Sequence, residues 1–346
     1  MAKTNSLEIA GTIELAQFWP NGKSDADTTK LMLTVAPGSV RVKLAEQTQF
    51  QNTSAYEDAG IPGKKDTVTG QTKIELVIKN GTITVRLQRI DAPELHYRPD
   101  AKGSDGKLKG TGLIKDYRQH QAETAVVKLV AFLQTFGSSQ LPCKFVSELK
   151  TSEGPGAAID KYGRFVGDII LPDGTNLNLW LLEQGLAVIA LYDSMLPYEI
   201  DESIAAWQAG RKSREGIARL YNDRFNKFDP TLEFRAVGSA VRDEGDRKFL
   251  HPKFYRRQTT WWAFTQADAF KGDFADWLTQ KAEKCWYLPE FRELGSKATK
   301  YLLYEREFDG DGIGWQPEDF IFAESASSIQ RLGVGGKLVK VSDWQY

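Results

Sequence analysis

Three short segments of this sequence hold residues that could do chemistry together. They are Asp25-Ala26-Asp27-Thr28, then Arg86-Leu87-Gln88-Arg89-Ile90-Asp91-Ala92-Pro93-Glu94, then Asp160-Lys161-Tyr162-Gly163-Arg164. In the second, a strand-like run ends at Asp91, Pro93 forces a turn, and Glu94 lies three residues on. Two carboxylates at one strand end are hard-oxygen donors that a divalent cation could hold. Arg86 stands an odd number of residues before Asp91, so a regular strand would aim the two side chains at opposite faces. A bulge or strong coiling near Gln88 is needed to bring both to one site. Taken singly, each segment is the kind of solvated turn that closes many hairpins.

The surrounding elements must supply that convergence. From Leu7 to about Val85 the pattern is strand-like: Ile9 to Phe18, Lys30 to Val35, Val40 to Leu44 and Ile74 to Ile78. Asn80-Gly81, between Ile74–Lys79 and Thr82–Leu87, is a strong hairpin signal because both residues tolerate positive φ. Gln47 to Gln71 reads as a long polar loop, and Arg98 to Gly112 as a second one rich in Gly, Lys and Asp. Helical spacing runs from Tyr117 to about Phe136, with Val126, Leu129, Val130 and Leu133 on one face. A hairpin, Cys143 to Leu149 with Tyr162 to Leu171, follows. The spacing then predicts a helix over Leu177 to Gln184, stopped by Gly185, and another over Asp201 to Arg219. Five or six strands with helices around and after them describe a small α+β barrel rather than a doubly wound sheet. No GxGxxG or GxxxxGK[ST] points to nucleotide binding.

Composition narrows the class without naming it. The chain has 346 residues, 41% hydrophobic and 26% charged, which suggests two units with ample core material. The net charge of −1 argues against a broadly basic nucleic-acid-binding surface, so any phosphate contact must come from a local group of cations. Two distant cysteines, Cys143 and Cys285, form neither a disulfide framework nor a zinc signature and read as buried thiols. No apolar run is long enough to cross a bilayer. Met1 to Gly11 has no signal-peptide pattern, so the expectation is cytoplasmic, or secreted if a leader has been removed.

In combination and in this order the segments resemble the staphylococcal nuclease (thermonuclease) family over roughly Leu7 to Tyr221. The resemblance rests on Arg86…Ile90-Asp91-Ala92-Pro93-Glu94, on Asp160-Lys161-Tyr162-Gly163-Arg164, and on Leu177-Asn178…Gln184-Gly185-Leu186-Ala187. Asp25-Ala26-Asp27-Thr28 is similar to the family's Asp-Gly-Asp-Thr turn, with Ala in place of Gly. The resemblance implies an OB-type barrel of five strands with three helices and hydrolysis of DNA and RNA with Ca²⁺, with Mg²⁺ or Mn²⁺ as alternatives. Carried over, Asp27, Asp91 and the Ala92 carbonyl become metal ligands, and Glu94 the general base. Arg86 and Arg164 grip the phosphate and stabilise the charge that builds in the transition state. Lys161, Tyr162 and Tyr192 become substrate contacts. The expected product ends are 3′-phosphates, and the expected substrate is single-stranded or melted.

Three departures bear on these expectations. Ala92 stands where the family's type member has Thr, which keeps the carbonyl and removes a hydroxyl. Insertions fall at about 36–72 and 98–115, and Asp66-Thr67-Val68 competes with Asp27 as the acidic turn. The tyrosines expected after Gly185-Leu186-Ala187 are matched only in part, by Tyr192 and Tyr198. Residues 1–222 are therefore read as the nuclease-like domain and 223–346 as an accessory α+β domain. The latter holds Trp261, Trp262, Trp277, Trp286, Trp315 and Trp344. Packing is its leading explanation, with a protein partner as another role. Aromatic residues near Arg256 and Arg257 could stack bases. Asp309-Gly310-Asp311-Gly312 reads as a tight turn, since Ile313 and Phe320 stand where a calcium loop needs oxygen ligands. The alternative to an enzyme is a catalytically silent module that binds nucleic acid or protein.

Overall fold

Period-2 alternation decides which strands curl around the core. In the strand Thr82–Leu87, Ile83, Val85 and Leu87 are buried, and in Gln140–Lys150 so are Leu141, Cys143, Phe145 and Leu149. The structure is a computed structural model describing residues 4–16, 24–34, 39–65, 72–99, 108, 110, 112–212, 216–220, 229–234, 249–303, 316–324, 327–333 and 337–345.

The first elements are β1 (Thr4–Glu14), β2 (Thr28–Leu33), β3 (Val40–Lys43), β4 (Gln51–Asn52), β5 (Gly60–Lys65), β6 (Thr72–Leu76), β7 (Ile78–Lys79), β8 (Thr82–Leu87) and β9 (Ile90–Asp91). Then come α1 (Ala122–Gln134), β10 (Gln140–Lys150), β11 (Phe165–Ile170), α2 (Leu177–Glu183), β12 (Val188–Ile189), β13 (Leu191–Tyr192), α3 (Pro197–Lys212) and α4 (Ile217–Leu220). The chain order of barrel strands is β1, β2, β8, β10, β11, but hydrogen bonding runs β10-β11-β8-β2-β1, and β1 pairs back onto β10. Five strands thus close into an OB-like barrel, with the β8–β11 pair parallel and the others antiparallel. The α+β barrel read from the sequence is therefore present. Asn80 and Gly81, at φ 52° and 68°, turn β7 into β8 as expected.

Several expected boundaries move. The first two strands end at Glu14 and Leu33. The helix expected from Tyr117 starts at Ala122, because Tyr117 is held in a backbone bridge to Tyr97. The helix expected over Asp201 to Arg219 begins earlier, at Pro197, and ends at Lys212 before α4. Gln47 to Gln71 is not simply a loop: β4 extends the barrel sheet, and β5 pairs with β6 in a separate four-stranded sheet.

The remaining elements are α5 (Pro252–Gln266), α6 (Phe274–Lys281), β14 (Lys284–Tyr287), α7 (Leu288–Leu294), β15 (Lys300–Leu302), β16 (Phe320–Phe322), β17 (Gln330–Leu332) and β18 (Leu338–Lys340). They share sheets with the first part of the chain. β16 runs parallel to β13, and β17 pairs with β5. A second apolar cluster holds Leu250, Phe254, Tyr255, Trp277, Leu278, Phe320 and Phe322. The aromatic residues of this region thus largely fill a core, whereas Trp315 and the Asp309–Gly312 turn lie outside the described residues. Cys143 and Cys285 are buried free thiols, and burial pushes Cys143 up to about 12. Among the described residues no helix is long and apolar enough to cross a membrane.

Candidate active site

The geometry at the barrel rim depends on Gln88 and Arg89. β8 ends at Leu87, Arg89 takes the left-handed conformation at φ 74°, and β9 resumes at Ile90. This break cancels the parity problem, since Arg86 and Asp91 now face each other. Arg86 Nη2 donates to the Ile90 carbonyl at 3.2 Å and pairs with Asp91 Oδ1 at 3.2 Å, while Nη1 pairs with Asp27. The strained residue is itself tied down: Arg89 is buried and pairs with Asp168 (2.7 Å), Glu199 (3.4 Å) and Glu202 (2.9 Å). Sequence reading passed over Arg89 and its three carboxylates, because all three lie far along the chain.

Asp27 enters at the start of β2. Its Oδ2 accepts the Ala92 N–H at 2.9 Å, and its Oδ1 accepts from Thr28 Oγ1 at 3.0 Å. Arg164 Nη1 donates to that same Thr28 hydroxyl at 3.3 Å, which links the third segment to the first. The Asp160 carboxylate holds the turn by accepting the Tyr162 and Arg164 amides at 2.8 and 3.0 Å and pairing with Arg164 at 2.7 Å. Gly163, at φ 80°, supplies the left-handed position that turn requires. Glu94 is fixed by Gln119, whose amide oxygen accepts the Glu94 N–H at 3.1 Å and whose N–H donates to the Glu94 carbonyl at 2.7 Å. Asp25 accepts the Leu95 amide.

The structure thus gathers Asp27, Arg86, Asp91, Ala92, Glu94 and Arg164 at one site. Tyr192 lies close enough to feel the charges of Arg86 and Asp91, and burial raises its hydroxyl. Tyr162 is exposed, with the Lys161 ammonium and the Arg164 guanidinium 5.0 and 5.4 Å from its ring centre. Tyr198 belongs elsewhere, near Glu199, Glu148 and Arg89. The competing Asp66 turn lies outside the described residues.

One residue arrives that the motifs did not announce. Arg256, on α5, reaches across 165 positions to Asp91, with Nη1 to Oδ1 at 3.1 Å and Nη2 to Oδ2 at 2.9 Å. The same Nη1 also pairs with Glu94. The sequence reading noted Arg256 and Arg257 only as neighbours of aromatic residues that could stack bases; the structure pairs Arg256 with these carboxylates and Arg257 with Glu283 at 2.8 Å. His251 caps α5 by accepting the Lys253 N–H at its Nδ1 (3.1 Å), and burial holds its pKa down to about 4.

Four carboxylates, Asp25, Asp27, Asp91 and Glu94, therefore face two guanidiniums, Arg86 and Arg256. The imbalance sets the protonation behaviour. Burial raises Asp25 well above the usual carboxylate range, helped by the charges of Glu94 and Asp27. Burial also raises Glu94 to about 7, against the pull of Arg256. For Asp91 burial acts the same way, but Arg256 and Arg86 outweigh it and lower its pKa. As donors, Asp27, Asp91 and the Ala92 carbonyl suit Ca²⁺. As arranged they do not fit a resident metal: both Asp91 oxygens are taken by guanidinium, and Asp27 faces Arg86 and the Ala92 amide. Among the described residues no group of three or more His, Cys, Asp or Glu side chains could hold a metal ion.

Beside this centre a groove of about 680 Å³ runs between Tyr162 of the barrel and Arg257, Thr260 and Trp277 of α5 and α6, with Tyr97 and Arg98 along it. Thr260 sits one helical turn from Arg256, to whose carbonyl it donates at 3.0 Å.

Part of the chain is similar to known proteins. Residues 84–219 match the family described as "Staphylococcal nuclease homologue". The resemblance drawn from the motifs holds over that stretch. The chain is also 23% identical over 248 residues to "Endonuclease YhcR" of Bacillus subtilis (strain 168). That match covers 67% of this chain but 18% of the relative, so the chain spans less than a fifth of that protein's length.

Proposed function

We propose that this chain is a nuclease that hydrolyses phosphodiester bonds of DNA and/or RNA, with single-stranded or melted nucleic acid as its substrate. The observation that carries the proposal is the convergence at Gln88–Arg89. There the interruption between two strands sets Arg86, Asp91 and Glu94 on one side of the barrel rim, with Arg164 joined through Thr28. The family match and the name of the Bacillus relative support the same reading and favour an endonucleolytic mode.

A phosphodiester is anionic and repels nucleophiles, so neutralising its charge is the main chemical requirement. Arg86 and Arg164 fill that role because guanidinium stays charged and offers paired donors to phosphate oxygens. Glu94 acts as the general base that takes a proton from the attacking water; the water oxygen bonds to phosphorus as the P–O5′ bond breaks, and the departing 5′ oxygen takes up a proton from solvent, leaving 3′-phosphate and 5′-hydroxyl ends. Lys161 and Tyr162 hold the neighbouring phosphate and base, and Tyr192, close to Arg86 and Asp91, is a further substrate contact. The groove beyond Tyr162 is lined by aromatic and cationic side chains, the kinds that unpaired strands stack on and pair with. Dependence on Ca²⁺, with Mg²⁺ or Mn²⁺ in its place, belongs to the proposal through the family resemblance alone.

A second reading, a catalytically silent module that binds nucleic acid or a protein, is favoured by one observation: Arg256 engages both Asp91 and Glu94. Cleavage of labelled single-stranded DNA and RNA in Ca²⁺, Mg²⁺ or EDTA decides between them. Cleavage that Glu94→Gln or Arg164→Ala abolishes supports the enzyme. Binding without cleavage under every condition supports the silent module.

A further inference from the structure

The family resemblance calls for a bound cation at Asp91, and the structure puts a guanidinium there. We infer that Arg256 is the built-in counter-cation of Asp91 and Glu94, and that a divalent cation can reach Asp91 only by displacing it. The proposal concerns the site described above but rests on its geometry, and it stands whether or not the chain cleaves nucleic acid.

The contact is more than a surface ion pair. Arg256 meets Asp91 with two parallel bonds, 3.1 and 2.9 Å, the fork geometry that fixes both carboxylate oxygens. The side chains of Asp91 and Glu94 are only 3% and 11% exposed, so water does little to screen either charge. Arg86 occupies the remaining approach to Asp91 Oδ1. A divalent cation needs those same oxygens as inner ligands, so it competes for them with the guanidinium, and two like charges a few ångström apart in a buried site repel strongly.

Arg256 is also held in place from its own side. Its helix starts at the His251 cap, and the residue just before the cap, Leu250, gives its carbonyl to Gln119, the residue that fixes Glu94. One turn on, Thr260 meets the Tyr97 hydroxyl at 3.0 Å. The barrel and α5 therefore grip each other on both sides of the arginine. The site's affinity for a cation is accordingly set by a residue outside the motif-bearing part of the chain.

Calorimetric titration of the full chain with Ca²⁺ alone, without substrate, tests this. The variants are Arg256→Met, which keeps the stem and removes the charge, and Arg256→Met combined with Asp91→Asn. The expected result is weak binding by wild type, binding at least about tenfold tighter in Arg256→Met, and loss of that gain in the double variant. Equal affinity of wild type and Arg256→Met would overturn the proposal, as would a gain that survives Asp91→Asn. If Arg256→Met does not fold, hydrogen exchange on wild type serves instead. Saturating Ca²⁺ should speed exchange of the first turns of α5 as Arg256 is displaced. Unchanged or slower exchange on saturation would sink the idea.

Discussion

Arg86 offers a test in which catalysis and stability can be separated. Its guanidinium pairs with Asp27 and Asp91, whose side chains are 4% and 3% exposed. Arg86→Ala removes a charge from two buried carboxylates, and breaking such a pair from one side costs about 3–5 kcal/mol of stability. Asp91 keeps Arg256, so the smaller end of that range is expected. On the role proposed for Arg86, the same substitution also deletes a donor to the phosphate, worth about 10²–10³ in rate, or roughly 2.7–4 kcal/mol. Arg86→Lys divides the two effects. Lysine keeps the charge but lacks the planar fork, so the fold should be largely retained while phosphate contact is lost. The assay pairs thermal melting with initial rates on a fluorescently labelled single-stranded oligonucleotide. Arg86→Lys should melt close to wild type with kcat down about 10²-fold. A folded Arg86→Lys with a near wild-type rate would refute the role assigned to Arg86.

Tyr162 is 66% exposed beside Arg164, so Tyr162→Ala should raise KM with little change in kcat; base stacking of this kind is worth about 1–3 kcal/mol, read from saturation curves. Arg89→Met leaves buried Asp168 and Glu199 without their guanidinium and should lower stability by about 3–5 kcal/mol in urea unfolding, with retained stability counting against the network. Burial raises Glu199 to about 7 from a usual 4.5, so its contribution to stability is complete below about 4.5 and is lost as pH rises through 7. The melting temperature should therefore fall over that window, and Glu199→Gln should flatten the fall; an unchanged slope would refute the assignment. A fragment ending at residue 222 loses the strands that pair with β5 and β13, and should fail to melt cooperatively, whereas a cooperative transition would show the first part folding alone.

What the sequence by itself determined is local chemistry. The Asn80-Gly81 turn, the Gly163 corner and the stop at Gly185 each need a backbone conformation that few residues accept, so they are legible one at a time. The strands of the barrel show the same way, because a buried face imposes alternation on its own residues. The order of Asp27, Arg86, Asp91, Glu94 and Arg164 pointed to one site, and the requirement for a break near Gln88 followed from strand parity alone. Tertiary structure decided the rest. The four-stranded sheet joining β5 to β17 could not be read from Gln47 to Gln71, because its pairing partner lies at the far end of the chain and carries no local mark. Arg89 and Arg256 look like any arginines in a polar turn and on a helix. Only closure of the chain turns one toward Asp168 and Glu199 and the other onto Asp91 and Glu94. A charge records nothing in its own neighbourhood about a partner met 165 residues away. Local pattern therefore specified the site's functional groups, while folding determined which cation stands beside them.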